Sequence, residues 1–168
     1  MNKTACYELI TRKPTAEELE ELRAIAEVQF GVAGNLVIPE TVNVIISPST
    51  NRIRFLVVNG KKYLALRPRD YRFNLYLSAG EILNTVLPHP RLRVYVKRDY
   101  VEFVSKGNTL FCRHVLMADP DVRPGDEVLV VDQNGNLIAV GRSRLAGWEM
   151  VFYSRGEAVK IREGVSSD

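Results

Sequence analysis

The sequence predicts an α+β protein of two small domains, and three observations predict it. A capped amphipathic helix stands near the start, short strands with two Asn-Gly turns follow, and Pro88-His89-Pro90 interrupts the pattern near the middle. The boundary is expected there, giving domains over residues 1–90 and 91–165. With 168 residues, 46% hydrophobic and 26% charged, the chain suits one domain or two small ones and excludes disorder and coiled coil. A catalytic barrel of about 250 residues does not fit. The longest unbroken apolar run is four residues, as in Val128-Leu129-Val130-Val131, against the roughly 20 that a membrane helix needs. No membrane partner and a cytoplasmic location are therefore expected. Two cysteines cannot frame a disulfide scaffold.

In chain order, Cys6-Tyr7-Glu8-Leu9-Ile10 reads as a short strand. Thr15-Ala16-Glu17-Glu18 fits a capping box, in which hydroxyl and carboxylate satisfy orphan amides reciprocally. Leu19, Leu22, Ile25, Ala26 and Phe30 recur at three- and four-residue spacing, a helix that Gly31 stops. From Val42 the period falls to two or to short apolar runs, predicting strands over 42–47 and 52–58. Asn59-Gly60 supplies both positive-φ positions of a tight hairpin turn. The return strand over 61–66 is interrupted by Pro68. Residues 73–77 alternate again, and Ser78 can cap a helix over 79–87. After the prolines come a strand over 91–96 and a helical turn from Asp99 to Gly107. Strands then dominate: 127–132, a second hairpin at Asn134-Gly135, its return over 137–144, and a last strand over 156–162. A frayed tail is expected from Gly164.

Charge is distributed unevenly. Net charge is −3 over residues 1–51, +9 over 52–98 and −3 over 99–168, for +3 in all. The central cations are Arg52, Arg54, Lys61, Lys62, Arg67, Arg69, Arg72, Arg91, Arg93, Lys97 and Arg98. Such a stripe is the footprint of a polyanion partner, or else a solvated sheet face. Arg52 and Arg54 share a face on a two-residue period, and a cationic neighbour across the hairpin would concentrate like charge there.

Catalytic chemistry is harder to find. There is no P-loop, dinucleotide fingerprint or nucleophile elbow, and no carboxylate pair at acid/base spacing. Cys112 and His114 are two ligands, too few for zinc, and Cys6 is remote. They read as a buried cysteine beside a surface histidine. His89, between prolines, reads as structural or solvent-facing. Asp119, Asp121 and Asp126 sit beside prolines and read as turn caps, as does Asp70. No cofactor, metal or catalytic residue is expected.

Six ordered signals between Arg93 and Ile161 then carry a resemblance. They are Tyr100 to Lys106, Lys106-Gly107-Asn108, Arg123-Pro124-Gly125-Asp126-Glu127-Val128, the run from Asp132 to Arg142, Glu149-Met150, and Arg155-Gly156-Glu157-Ala158-Val159. The stretch resembles a PUA domain, a small RNA-binding pseudobarrel. Upstream, Leu66-Arg67-Pro68-Arg69-Asp70, Phe73-Asn74-Leu75 and Pro90-Arg91-Leu92-Arg93-Val94 are similar to the pre-PUA domain. The pair forms the carboxy-terminal part of archaeal archaeosine tRNA-guanine transglycosylases and occurs in short stand-alone proteins. That family often has glycine after the aspartate of Arg69-Asp70, where Tyr71 stands here, and a tyrosine at positive φ is strained.

The resemblance implies an α+β pre-PUA domain followed by a β-rich PUA pseudobarrel. It implies binding of structured RNA such as tRNA without catalysis, as an accessory or targeting module for a separate RNA-modifying enzyme. The implied RNA-binding residues are Lys106, Gly107 and Asn108 in the glycine loop, Arg113 and His114 on the next strand, and Arg155, Gly156, Lys160 and Arg162 on the last. Independently of the resemblance, Arg52 and Arg54 of the basic stripe form a second candidate RNA-binding surface, and RNA is expected to lie across both. Each has a plainer alternative. Gly107 can be only a helix stop, Arg142 and Arg144 can only solvate a strand, and Arg155 and Lys160 can pair with Glu157 or Glu163. The competing function is a protein-interaction subunit that docks a catalytic partner; a stand-alone enzyme is the third reading.

Overall fold

The computed structural model describes residues 10–167. Of the strand expected over residues 6–10, only Ile10 falls within them. Packing divides the chain into two compact units, Met1–Phe73 and Asn74–Asp168.

In the first unit, β1 (Ile10–Arg12) leads into α1 (Ala16–Phe30). Thr15 caps α1 as the sequence predicts: its hydroxyl accepts from the Glu18 amide at 3.1 Å, and the Glu18 carboxylate accepts from the Thr15 amide at 2.9 Å. Gly31 stops the helix at φ 71°, a conformation without steric cost for glycine. Leu22, Ala26 and Phe30 form its buried stripe. A short helix, α2 (Gly34–Val37), precedes β2 (Asn43–Ile46), β3 (Ile53–Val58), β4 (Lys61–Leu66) and β5 (Phe73–Leu75). The strands lie in chain order in one sheet, and the division between units falls within β5. Val44 faces Leu56 and Leu56 faces Leu64, so the register lines three fully buried side chains across the sheet. Asn59 and Gly60 turn β3 into β4 at φ 53° and 75°.

Arg12 donates to both oxygens of Glu18, at 2.7 and 3.0 Å. Chiefly through that bond, the Glu18 carboxyl falls from 4.5 to about 2. Folding therefore favours the charged form. Its contribution is complete above pH 4.5 and is lost as pH falls towards 2. Melting temperature is expected to fall more steeply across that interval for the parent than for Glu18→Gln; parallel curves would contradict the assignment.

The second unit opens with α3 (Leu77–Val86). Ser78 does not cap it. The helix starts at Leu77, two residues before the expected start, and the Leu77 amide is satisfied by the Glu163 carboxylate at 2.8 Å. Then follow β6 (Arg93–Val96), a 3-10 turn (Arg98–Tyr100), α4 (Val101–Ser105), β7 (Leu110–Phe111), a second 3-10 turn (Cys112–His114), β8 (Val115–Ala118), β9 (Glu127–Val131), β10 (Leu137–Ser143), α5 (Gly147–Phe152) and β11 (Glu157–Gly164). At Gly80 the α3 backbone approaches β10 so closely that a Cβ would collide with Val140. The sequence reading puts this helix before the boundary at residue 90, whereas packing places it in the second unit; chain order and packing divide the molecule at different points.

The six strands lie in the order β7-β11-β10-β9-β6-β8, antiparallel except for β6 against β9. The two edge strands, β7 and β8, are consecutive in the chain with only Cys112–His114 between them. The sheet must therefore curl until its edges approach, which makes a pseudobarrel around Val94, Leu110, Val128, Val130, Met150 and Val159. Two expectations are corrected. Helix α5 lies in a region expected to be strand-rich, between the strands over 137–144 and 156–162, with no side-chain cap in front of it; Glu149 instead reaches back to the Ala146 amide at 3.0 Å. The tail does not fray through Ser166: the Val165 amide bonds Ile138 O at 3.0 Å and the Ser166 amide bonds Ser105 O at 2.8 Å.

Candidate nucleic-acid interface

Arg113 and His114 sit at the seam of the pseudobarrel, in the 3-10 turn and not on a strand. Lys97 pins the turn, its amide donating to His114 O at 2.8 Å and its Nζ to Arg113 O at 2.9 Å. The His114 ring stacks on Tyr100 with centroids 3.6 Å apart and planes 8° from parallel, and Tyr100 stacks in turn on Phe103 at 5.1 Å. Burial, and then the charges of Arg113 and Lys97, hold the imidazole below its usual pKa. The neutral ring can thus accept a hydrogen bond from Arg113 Nε at Nε2, 3.1 Å away.

β7 pairs with the start of β11, Phe111 facing Glu157, and the Cys112 amide bonds Gly156 O at 2.9 Å. This pairing brings two distant segments together. Phe111, Arg113, Ser154, Arg155 and Gly156 line an open depression of about 360 Å³. Gly156 turns there at φ 105°, with open space where a Cβ would stand. Arg155 makes no hydrogen bond or ion pair with a described residue, because Glu157 faces Arg144 at 3.7 Å and Glu163 accepts from Leu77. The same holds for Lys160, exposed on β11.

The glycine loop lies towards the other end of β11. Gly107 turns at φ 98° beside Ser167 and is half-buried. Asn108 folds its amide onto Phe103 O at 3.0 Å, and exposed Lys106 pairs loosely with Glu102 at 3.3 Å. At 3.3 Å per residue, the seven steps of β11 separate its two ends by roughly 23 Å, so the implied residues form two patches with Lys160 between them. Arg162 joins neither. Its guanidinium forms a fork onto the fully buried Glu127 and also donates to Leu75 O at 3.0 Å.

The central cations do not make one surface. Arg93 is fully buried and Lys97 is tied to the seam. Lys61 and Lys62 face Val58 and Val57, and Lys62 lies over the Phe55 ring at 4.5 Å. Lys61 and Lys62 therefore bring no like charge against Arg52 and Arg54. Arg52, Arg54 and Arg67 line a separate cleft of the first unit.

Sequence reasoning misses Phe111 and Ser154, which only strand pairing brings to the depression. It also misses the exposed face of α5, where Trp148, Val151 and Phe152 are 59%, 52% and 77% exposed. Their spacing of three and four residues was the available signal. Three of the four turn-cap readings hold: Asp119 accepts from the Leu92 and Asp121 amides, Asp126 from Arg123 and Asp70 from Arg72, whereas Asp121 enters the turn through its amide and not its carboxylate. His89 is structural, its Nδ1 2.7 Å from the Tyr95 hydroxyl. Burial pushes the Cys112 thiol up, away from the thiolate that a metal or a nucleophilic role needs. Among the described residues no cluster of three or more His, Cys, Asp or Glu could hold a metal ion, and no helix is long and apolar enough to cross a membrane.

Two family models match. Residues 92–165 match the PUA domain, and residues 20–90 match the patch-forming domain C2 of tRNA-guanine transglycosylase. The tRNA-guanine(15) transglycosylase of Pyrococcus abyssi is 38% identical over 160 residues, 95% of this chain and 27% of that protein. That of Thermoplasma volcanium is 40% identical over 148 residues, 88% of this chain and 23% of that protein. The chain thus spans about a quarter of the length of these relatives. In fold it is similar to a hypothetical protein of Pyrococcus horikoshii (TM-score 0.72, 21% identity, 95% of this chain and 96% of that one). A conserved PUA domain protein of Thermoplasma acidophilum is also similar (TM-score 0.65, 18% identity, 95% and 96%).

Proposed function

We propose, from the premise that this chain is a PUA-domain protein with a patch-forming C2 domain ahead of the PUA domain, that it binds structured RNA, tRNA first, and performs no chemistry of its own. The observation that carries the reading is the depression at the seam of the pseudobarrel. There Arg113, Arg155 and the Phe111 ring converge on one open surface beside the unhindered turn at Gly156. Guanidinium forks suit phosphate and an aromatic ring suits an unstacked base. The glycine loop, Lys160 and the Arg52–Arg54 region add further contacts. Because the chain matches only about a quarter of each transglycosylase, base exchange is not assigned to it. It presents RNA to a separate modifying enzyme.

A tRNA transcript titrated at several salt concentrations tests this. If about five phosphates are neutralised, log affinity should fall against log salt with a slope of roughly −3 to −5. Charge reversal at Arg113→Glu with Arg155→Glu is expected to weaken binding and to flatten the slope by about two. A parent that binds no tRNA, or a double variant with parental affinity and slope, would overturn the reading. The exposed Trp148, Val151 and Phe152 face of α5 favours the second reading, a subunit that docks a protein. That reading expects a partner complex insensitive to salt and disrupted by Phe152→Ser.

A further inference from the structure

The first unit carries a cleft of about 360 Å³ between α1, the β2–β3 connection and the β4–β5 connection. Its floor is apolar: Leu22, Ile25, Ile53 and Leu66. Arg52, Arg54 and Arg67 line it as cations, and Glu18 and Glu21 as carboxylates on the α1 side. Arg52 and Arg54 make no hydrogen bond or ion pair with a described residue. Arg67 Nε is buried without a hydrogen bond, with Asp70 Oδ1 at ion-pair distance, 3.3 Å.

Tyr71 stands at the rim at φ 54°. That left-handed backbone is routine for glycine and tolerable for asparagine, as at Asn51 across the cleft (φ 56°), but strained for tyrosine. Packing does not explain it, since Tyr71 is 56% exposed. Backbone strain of this kind persists where the surroundings over-determine it and concentrates at ligand sites. The Arg67 amide bonded to Arg72 O at 2.9 Å supplies that constraint here.

We propose that this cleft holds one unstacked nucleotide of the bound RNA, with its base against the Tyr71 ring and the apolar floor and its phosphate between Arg52 and Arg54. The inference rests on the RNA-binding reading and adds to it a subsite in the other unit. Charge complementarity selects the occupant. A bare anion would also meet the carboxylates of Glu18 and Glu21, which line the α1 wall. A nucleotide turns its neutral base to that side, where Glu21 can accept from an exocyclic amine, and its phosphate to the arginines. An aromatic face beside unpaired guanidiniums is the usual means of gripping single-stranded nucleic acid.

The experiment pairs affinity with stability in the full chain. Tyr71→Gly relaxes the backbone, so its melting temperature should not fall, and a rise of up to roughly 4 °C is expected. Its affinity for the tRNA transcript should nevertheless drop about tenfold, the scale of one lost stacking contact, with the salt slope unchanged. Tyr71→Phe should bind like the parent. If Tyr71→Gly lowers the melting temperature, Tyr71→Asn, which tolerates the same φ, takes its place. Parental tRNA affinity in the stable variant overturns the subsite while leaving the seam site standing, and is also the result expected of a cleft that docks a protein. No salt-dependent binding by the parent removes both.

Discussion

Replacing Arg93 by methionine is expected to destabilise the protein by about 3–5 kcal/mol. Its guanidinium is fully buried and meets oxygen acceptors other than carboxylates. Nε donates to Asn84 Oδ1 at 3.1 Å, Nη2 to Asn84 O at 2.8 Å, and Nη1 to Leu87 O, Arg91 O and Pro88 O at 2.9, 3.0 and 3.3 Å. The last carbonyls of α3 have no partner within the helix, and a cation at that end also meets the negative pole of the helix dipole. Methionine fills similar space but leaves several buried acceptors unpaired, at about 1–3 kcal/mol each before any water enters. Arg93→Lys should recover only part of the loss, because one ammonium cannot span acceptors spread over a planar fork. Urea denaturation measures both; a loss below about 1 kcal/mol for Arg93→Met would refute this account.

Glu127→Ala should cost a similar amount, about 3–5 kcal/mol, by a different route. The Glu127 side chain has no exposure. It accepts from the Leu75 amide at 2.7 Å and from both terminal nitrogens of Arg162, Nη2 at 3.0 Å. Alanine leaves the Arg162 guanidinium without its counter-charge and the Leu75 amide without an acceptor. Arg162→Met alone should also be costly, since it leaves a buried carboxylate. Glu127→Leu with Arg162→Met should lose much less than the sum of the single changes, because a buried pair removed together leaves no orphan charge. Strict additivity in that cycle would contradict the picture. The double variant also separates scaffold from interface: its tRNA affinity should match the parent's, whereas any Arg162 contact with RNA would weaken it.

These two arginines show how far sequence reading reaches. Both stood among cations that composition and motif order direct towards a polyanion. Nothing local distinguishes Arg93 and Arg162 from Arg113 and Arg155, since each is an arginine on or beside a strand. What separates them is whether a carboxylate or a set of orphan carbonyls arrives from elsewhere in the chain. Glu127 reaches Arg162 from 35 positions away, a pairing that only the β9–β10–β11 register creates.

By itself the sequence determined the features whose causes lie within a few residues. The Thr15–Glu18 box, the Gly31 stop, the Asn59-Gly60 hairpin and the strand periods after Val42 all depend on local backbone chemistry, and all form where expected. The six ordered signals also pointed to the PUA domain, whose family model matches residues 92–165, because motifs in a set order over about 70 residues constrain one another. Only the tertiary structure decided which side chains face outward together. It curled the sheet so that Phe111 and Arg113 meet Arg155, drew α3 onto β10, turned Arg93 and Arg162 inward, and held Tyr71 at an unfavourable φ beside three guanidiniums. The physical reason is that burial and charge pairing are set by neighbours in space, and a strand period says which residues share a face but not what will cover it.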